Sequence, residues 1–501
     1  QITDKQPTVN PRPLFYFSAA LLSVTSLCAV AADFNLPTMG QSASQVMSPA
    51  EEDRIGRRVV AQLMAHGRIL EDPELTAYLN RVGDRLVSHT GHSPSEFQYY
   101  VIDSPVVNAF ALPGGYIGVN AGLIMETDNE SELAGVMAHE TAHVTQRHIA
   151  RQLEATKGMG LVAAAAILLA VIASGGNPAV IQAAITGGIS AMNMKRIGYT
   201  RAHEQEADRI GIQTLAASDY DPDAMAAFFE KMAKRARLYG NQLPQILLTH
   251  PVNTARVADA RARAQDYKHV PVHEFDDYAV MRARARVLAS EQPSDTLRYF
   301  DELLKNGGGA AANYGYALAL QRVGRVPRAI KLLKGLVDKQ ATYPHFVLAL
   351  ADAQAALGHT DQALATLRAA TPKHSAYRPL ILDYARLLVE SGHASQARAY
   401  MLDQTQLLGR DAKLHELLAR AYGQMNQLGD AYYQQAMSFR LRGKYAAAIH
   451  RLQTALELPD LNHSNRARIQ AALRDYREQC HRAWSEDECR TRVEGITQPR
   501  W

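Results

Sequence analysis

Excess charge of one sign and long uninterrupted apolar runs are both scarce in this chain of 501 residues. Lysine and arginine number 54 and aspartate and glutamate 50, so the net charge is only +4. This charge is too small and too dispersed to form a nucleic-acid-binding surface, and we expect no nucleic-acid partner. Hydrophobic residues at 47% and charged residues at 21% are typical of globular proteins, which excludes a disordered chain and a polytopic membrane protein.

Cysteine is also scarce, with three residues at Cys28, Cys480 and Cys489. Cys28 lies in a segment that we expect to be removed on export, which leaves one pair near the end of the chain. Such a pair is typical of a disulfide bond in an oxidising compartment, and the alternative is two free thiols. We predict that Cys480 and Cys489 are bonded.

The beginning of the chain has the pattern of a secretory signal. Basic residues precede an apolar run over residues 14–30, and alanines just before Asp33 offer a cleavage site. The run is shorter than the roughly 20 apolar residues that span a bilayer, which argues against an uncleaved anchor helix. We therefore predict a cleaved signal peptide over 1–32, a linker over 33–48 and export to the periplasm.

Residues 49–270 mix helical and strand-like patterns, which indicates an α+β unit. Strand-like segments at 97–102 and 116–119 frame a turn at 113–115. Within the unit, residues 158–194 form an apolar insertion of two segments rich in alanine and glycine. Each segment is shorter than a spanning helix, so we expect a buried helical hairpin that serves as core or lid or, alternatively, a contact with the membrane surface.

From about residue 311 onward the strand-like patterns disappear and a period of 34 residues emerges. Glycines recur at this spacing, and each is followed five residues later by an alanine. The positions are Gly324, Gly358 and Gly392 with Ala329, Ala363 and Ala397, continued by Asn426 with Ala431 and, at half the period, by Gly443 with Ala448. This period is typical of tetratricopeptide repeats, in which a residue in the left-handed conformation closes the turn between two helices. We predict connecting helices over 271–310, an all-α repeat solenoid over 311–478 and a tail over 479–501.

The segment ELAGVMAHETAHVTQRH has the spacing of histidines and glutamate that is typical of a catalytic metal site. It predicts a helix, on which His139 and His143 lie four residues apart on one face and can reach one metal ion. Glu140 lies beside them and is placed to accept a proton from the attacking water. The alternative is an ordinary amphipathic helix with two polar side chains.

A second predicted helix, TRAHEQEADRIGIQTL, offers what a catalytic zinc site still needs. Zinc in such sites has three protein ligands and a fourth position for water. Glu204 can be the third ligand, and Asp208, one turn later, can hydrogen-bond a ligating histidine. His148 is predicted to be structural, and His203 and Glu206 are predicted to lie on the surface.

These motifs together resemble the M48 family of zinc metallopeptidases. The resemblance rests on HETAH, the later EQEAD, the segment NAFALPGGYIGVNAGLI before the first helix and LLTHPVNTAR after the second. It implies an α+β zinc metallopeptidase domain, one zinc ion per chain, His139, His143 and Glu204 as ligands, Glu140 as general base and Asp208 as supporting carboxylate.

The resemblance also implies a substrate-binding edge strand and turn over residues 108–115, with a plain turn as the alternative. An extended substrate would add to this strand through backbone hydrogen bonds, a mode that favours unfolded chains. The residues concerned are Asn108, Ala109, Phe110, Gly114 and Gly115.

His250 is open to three interpretations. It can be a fourth zinc ligand that keeps the enzyme latent, a group that stabilises the oxyanion, or a structural loop residue. Arg256 would either help to stabilise the oxyanion or support the ligands.

The order of the segments is similar to that of periplasmic M48 proteins of Gram-negative bacteria. It implies an endopeptidase that degrades misfolded or stalled outer-membrane proteins and assists β-barrel assembly, with the repeats docking either the assembly machinery or the client. The alternatives are a chaperone or scaffold with a latent metal site and a multispanning protease of the same family, which the lack of long apolar runs disfavours.

Overall fold

The computed structural model describes residues 47–155, 201–239, 245–267, 276–340 and 343–483. The predicted signal peptide, the apolar insertion and Cys489 lie outside these residues, so the expectations about them and about the domain limits remain predictions. In the described part of the chain, no helix has both the length and the apolar character needed to cross a membrane.

Two helices with well-formed N-termini open the described structure. Helix α1 (Pro49–Ala65) begins at Ser48, whose side chain and that of Glu51 accept each other's backbone N–H in a capping box. Helix α2 (Pro73–Val87) begins at Asp72, whose carboxylate accepts the N–H of Leu75 at 2.8 Å. Leu75, Leu79, Val82 and Leu86 recur at helical spacing and are fully buried, which turns one face of α2 into the core.

A three-stranded sheet follows a short 3₁₀ turn at Pro94–Glu96. Its strands are β1 (Gln98–Ile102), β2 (Ala109–Leu112) and β3 (Tyr116–Asn120), in the order β1-β3-β2. β3 is parallel to β1, with Tyr99 opposite Ile117, and antiparallel to β2. β2 is therefore an edge strand among the described residues, and the predicted strands and intervening turn are confirmed.

Seven further helices belong to the described residues of the α+β part. They are α3 (Ala121–Glu126), α4 (Glu130–Thr145), α5 (His148–Ala155), α6 (Arg201–Ala217), α7 (Ala224–Tyr239), α8 (Gln245–Thr249) and α9 (Thr254–Ala264). α4 is the central element, because every residue from Glu130 to His143 is buried. It packs against α6, α7, α2 and β2.

From Asp276 onward the described chain is helical. The helices are α10 (Asp276–Leu288), α11 (Pro293–Lys305), α12 (Ala310–Arg322), α13 (Val326–Lys339), α14 (Pro344–Ala356), α15 (Thr360–Ala370), α16 (Arg378–Glu390), α17 (Ala394–Asp403), α18 (Thr405–Leu408), α19 (Ala412–Gln424), α20 (Leu428–Leu441), α21 (Tyr445–Leu456) and α22 (His463–Ala483), with a 3₁₀ turn at Thr371–Lys373.

The turns between paired helices have the predicted conformation. Gly324, Gly358, Gly392 and Gly443 have φ between 71° and 80°, and Asn426 has φ 56°. The alanines five residues later are fully buried between the helices, namely Ala329, Ala363, Ala397, Ala431 and Ala448. Left-handed residues end one helix and small residues let the next pack closely, so the predicted all-α repeat region is confirmed.

The hydrophobic core does not stop where the repeats begin. One buried cluster runs from Leu75 through Met137 and Tyr278 to Tyr314 and Phe346, so the first repeats share their core with the α+β part. Two further clusters, around Leu388 and around Leu452, lie within the later repeats.

Candidate metal centre

Helix α4 positions the histidines of the HETAH motif. Its N-terminus is fixed by Asn129, whose side chain accepts the N–H of Glu132 at 2.9 Å. The helix then presents His139 and His143 on one face, and the Nε2 atoms of the two rings lie 3.0 Å apart. The structure confirms the predicted helix and the position of the two histidines on one face of it.

Helix α6 crosses α4 closely enough to bring Glu204 to these histidines. At the crossing, a Cβ atom added to Gly211 would lie 3.2 Å from the backbone N of His139 and 2.7 Å from Cε of Met225. A side chain here would require the end of Met225 to move and the backbone at His139 to shift by a few tenths of an ångström, so this glycine lets the two helices approach closely. Nothing in the sequence pattern marked Gly211 in advance.

The structure gathers four potential metal ligands. One ligand atom from each of His139, His143, Glu204 and His250 lies within 4.8 Å of the other three, and all four residues are buried. The Glu204 carboxylate lies 3.6 Å from Nε2 of His139 and 3.5 Å from Nε2 of His143. Two imidazoles and a carboxylate are the donor set that zinc uses in catalytic sites, and these residues fit such an ion.

Asp208 and Arg256 support this group from the outer side. Oδ1 of Asp208 lies 3.0 Å from Nδ1 of His139, the ring nitrogen that faces away from the cluster. The Arg256 guanidinium donates two hydrogen bonds of 2.7 Å to Asp208 and lies 2.8 Å from Glu204. It also donates to the Pro251 carbonyl, so Arg256 holds the carboxylates of Glu204 and Asp208 in place.

Glu140 is fully buried beside the cluster. Among the described residues neither of its carboxylate oxygens has a hydrogen-bond donor, and the nearest cationic group is Nε2 of His250 at 3.4 Å. A buried carboxylate without donors is unusual, and this arrangement suits a group that works on a water molecule.

The charges of the cluster favour anionic carboxylates. Burial alone would raise the pKa of Glu204, but nearby His250, His139 and Arg256 outweigh it and lower that pKa to about 2. Burial likewise opposes ionisation of Asp208, and its hydrogen bonds to His139 and Arg256 lower its pKa. Both carboxylates are therefore available as anions near neutral pH.

The pKa values of His143 and His250 shift in opposite directions. Burial first, and then the neighbouring His139 and His250, hold the pKa of His143 well below its usual value, which leaves the ring neutral as a ligand must be. Burial also disfavours a charge on His250, but Glu204 and Glu140 outweigh it and raise its pKa to about 9.

His250 lies inside the cluster, at the end of α8. Its Nδ1 is 3.0 Å from Oε1 of Glu204 and 3.4 Å from Nε2 of His139. The segment that carries it is tied to the loop before β2, because the N–H of Ile246 donates to the Val107 carbonyl at 3.2 Å. His250 therefore lies where two of its three interpretations require it, and the choice between latency and oxyanion stabilisation stays open.

Sequence reasoning missed a second group of polar contacts, behind His143. His148 is fully buried, and its Nδ1 lies 2.8 Å from Nδ1 of His143. Its Nε2 lies 3.1 Å from Glu206, and its ring stacks on His203 at 4.4 Å. The predicted surface position of His203 and Glu206 is wrong, because His203 is buried and the Glu206 side chain is only 19% exposed.

The predicted substrate-binding segment divides into two parts. Ala109 and Phe110 lie in the edge strand β2, which packs against α4, and Asn108 precedes it. Gly114 and Gly115 have φ of 80° and 87° and lie in the turn after β2. A Cβ added to Gly114 would lie 2.5 Å from Cα of Asp53, and one added to Gly115 would lie 2.0 Å from the Glu96 carbonyl oxygen. The glycines thus let the turn pack against α1 and the 3₁₀ turn, and the role of this segment toward substrate remains a prediction.

Comparison with known proteins agrees with this geometry. The model of peptidase family M48 matches residues 73–264, and a tetratricopeptide-repeat model matches residues 322–378. The β-barrel assembly-enhancing protease of Escherichia coli strain K12 is 32% identical over 469 residues, which cover 92% of this chain and 96% of that protein. The chain belongs to peptidase family M48.

Other relatives extend the comparison. The mitochondrial metalloendopeptidase OMA1 of Schizosaccharomyces pombe is 30% identical over 182 residues, 36% of this chain and 51% of that protein. A solved tetratricopeptide-repeat protein of Thermus thermophilus is 24% identical, covering 40% of this chain and 94% of that one, with a TM-score of 0.24, a value at which the likeness carries no weight. The predicted fold class and the predicted enzyme class, a zinc metalloendopeptidase, are confirmed. M48 membership implies a metal ion, typically zinc, which the buried group could bind.

Proposed function

We propose that this M48 peptidase is a periplasmic endopeptidase that degrades misfolded or stalled outer-membrane proteins and assists β-barrel assembly. The observation that carries the peptidase chemistry is the convergence of His139, His143 and Glu204 around the buried, donor-free Glu140. The client class is supported by the E. coli relative, a β-barrel assembly-enhancing protease, which aligns with 92% of this chain.

His139, His143 and Glu204 would hold one zinc ion, with Asp208 and Arg256 keeping His139 and Glu204 oriented. A zinc ion bound there would polarise the scissile carbonyl and lower the pKa of a coordinated water molecule. The candidate ligands and Glu140 are buried between α4 and α6, and this low exposure would strengthen the electrostatic effect of a bound ion.

Glu140 would serve as the proton carrier. Its carboxylate, which has no competing donor among the described residues, accepts the proton of the attacking water and later passes it to the leaving amine. An extended substrate would lie along β2, whose outer edge is unpaired among the described strands, and would add as a further strand. This mode requires an unfolded segment, which agrees with a misfolded client.

The experiment is degradation of an unfolded outer-membrane protein by the purified mature chain. We expect cleavage by the wild type, and a loss of about 10²–10⁴-fold in Glu140→Gln, because the amide cannot accept the proton. A zinc chelator should abolish cleavage, and added zinc should restore it. Glu140→Gln must keep its zinc content, and a variant that still cuts at the wild-type rate would contradict the assigned base.

The repeats would dock the assembly machinery or the client. Their first members share the core around Tyr314 and Phe346, so cutting the chain at residue 311 would expose that core. Cross-linking mass spectrometry on the full chain with client and assembly machinery is therefore the better test. We expect cross-links on helices α15 to α22, and contacts confined to residues 47–267 would contradict this role.

One observation favours a second candidate function, a chaperone or scaffold whose metal site is latent. His250 lies 3.0 Å from Glu204 and 3.4 Å from Glu140, where it occupies space that a substrate carbonyl and water need. His250→Ala separates the cases in the same assay. Faster cleavage supports latency, slower cleavage supports oxyanion stabilisation, and an unchanged rate excludes both.

A further inference from the structure

The two candidate histidine ligands have different partners on their outer ring nitrogens. Nδ1 of His139 meets the carboxylate of Asp208 at 3.0 Å, the usual arrangement for a metal-binding histidine. Nδ1 of His143 instead meets Nδ1 of His148 at 2.8 Å. His143 and His148 are 1% and 0% exposed, so this contact is shielded from solvent.

The donor and acceptor in this contact follow from the ligand role of His143. Its Nε2 faces His139 and Glu204, so a metal ion there needs the lone pair on Nε2 and leaves the proton on Nδ1. That proton must be donated to Nδ1 of His148, which then carries its own proton on Nε2. Nε2 lies 3.1 Å from Glu206, which accepts it.

Glu206 is itself fixed. Arg151 on α5 donates to the same carboxylate oxygen at 2.9 Å, and His203 stacks on the His148 ring with an interplanar angle of 11°. The series of contacts from His143 through His148 to Glu206 therefore ends at the Arg151 guanidinium, and the His203 ring packs on one face of His148.

A break between α4 and α5 is what brings His148 to His143. In a continuous helix a residue five positions later would point about 140° away from His143, since each residue turns about 100°. The break occurs at Arg147, which has φ 52°, a conformation that arginine rarely adopts. It is held by hydrogen bonds from its guanidinium to the Met47 carbonyl at 2.6 Å and to Glu52 at 3.2 Å.

We propose that His148 is a positioning residue for the metal: through Nδ1 it accepts the Nδ1 proton of His143 and so fixes the tautomer and ring orientation that present Nε2 to zinc, while Glu206 orients His148. This inference rests on the proposed function, because it needs His143 to be a ligand. It adds two residues, His148 on α5 and Glu206 on α6, whose substitution changes metal affinity without removing a ligand.

The test compares zinc affinities measured by competition with a chromophoric chelator, and cleavage in parallel. His148→Asn places an amide oxygen near the position of Nδ1 and keeps an acceptor for His143, whereas His148→Gln places its amide near the position of Nε2. We expect zinc affinity to fall by about 10- to 100-fold in His148→Gln and His148→Leu, and His148→Asn to retain most of it.

His415→Leu is the matched control for the loss of a buried histidine. His415 is 5% exposed, and both its ring nitrogens are hydrogen-bonded, to Gln434 at 2.6 Å and to the Gly409 carbonyl at 2.9 Å. We expect this variant to lose thermal stability and to keep its zinc affinity.

Equal zinc affinities in His148→Asn and His148→Gln, or wild-type affinity in His148→Leu, would overturn the positioning role. Because Asn and Gln are both polar and similar in size, this comparison holds even if the leucine variant does not fold. A wild-type chain that binds no zinc would instead contradict the proposed function itself, so the two failures are distinguishable.

Discussion

Three carboxylates on α6, spaced two residues apart at positions 204, 206 and 208, make different contacts. Glu204 and Asp208 are one helical turn apart on one face, toward the histidines of α4, whereas Glu206 points toward His148 on α5. His203 lies on the same side as Glu206 and stacks on the His148 ring. Helix α6 thus supplies the candidate ligand Glu204, a partner for Nδ1 of His139 in Asp208, and a partner for Nε2 of His148 in Glu206.

Asp208→Asn tests the support of His139. The amide keeps the shape of the side chain but removes the charge that both Nδ1 of His139 and the Arg256 guanidinium contact. We expect zinc affinity to fall by about 10- to 100-fold, measured by chelator competition. Asp259→Asn is the control, because Asp259 pairs with Arg263 at the surface and its side chain is 44% exposed. Equal affinities in the two variants would contradict a supporting role for Asp208.

At the residue scale, sequence reasoning identified the candidate ligands but not all of the side chains that contact them. His139, Glu140 and His143 follow from the spacing on one helix, and Glu204 from the need for a third ligand. His148 could not be placed, because a regular helix would carry it away from His143. Its position depends on the left-handed φ at Arg147, which the identity of that residue does not predict.

At the scale of elements, the repeats owe their turns to single residues. A Cβ added to Gly324, Gly358 or Gly392 would have no atom within 4 Å, so space does not require glycine there. The requirement is conformational, because φ near 80° is costly for residues that have a Cβ atom. Asn426, with φ 56°, fills the same position in the next repeat, as expected of the residue that tolerates this region best after glycine.

Gly392→Ala isolates that conformational cost. We expect the free energy of unfolding in urea to fall by about 1–2 kcal/mol, since alanine must adopt the left-handed conformation. Gly335→Ala is the matched control, because Gly335 lies inside α13 and also has no atom within 4 Å of an added Cβ. Its replacement should raise the free energy of unfolding by about 0.5–1 kcal/mol. If both variants lost stability by the same amount, the conformational explanation would be contradicted.

Elements with a strong local pattern were predictable from the sequence. Strands β1 and β3, helix α4 and the paired repeat helices follow from periodicity and turn residues, whereas the edge strand β2 was expected only from the family resemblance. The short helix α18, inserted between α17 and α19, was not predicted, since it adds four residues without a periodic apolar face. The close crossing at Gly211 was missed as well, because it depends on a partner distant in sequence.

At the scale of the whole molecule, a buried ionic network joins the peptidase part to the repeats. Arg284 on α10 donates to Asp72 at 2.7 and 2.9 Å, contacts Glu74 at 2.7 Å and donates to the Tyr314 hydroxyl at 2.8 Å. Glu74 also pairs with His345 on α14. The N-terminus of α2 is therefore held by α10, α12 and α14, so part of the repeat surface is already occupied by the peptidase part.

Arg284→Met should destabilise the full chain. The variant leaves the carboxylates of Asp72 and Glu74, whose side chains are 9% and 4% exposed, without their cation. We expect the free energy of unfolding to fall by about 3–5 kcal/mol, measured by urea unfolding. Arg286→Met, two residues further on the same helix, is the control, because the contact that Arg286 makes among the described residues is a stack on the Tyr299 ring, with its guanidinium carbon 4.3 Å from the ring centre. A loss of less than about 1 kcal/mol in both variants would show that the network does not stabilise the junction.

The central claim is that one zinc ion binds between α4 and α6, next to Glu140. It is tested most directly by anomalous diffraction at the zinc absorption edge from crystals of the purified chain. We predict a single peak about 2.0–2.2 Å from Nε2 of His139, Nε2 of His143 and a carboxylate oxygen of Glu204. A peak at other residues, or none in crystals grown with zinc, would contradict the assignment of the metal centre.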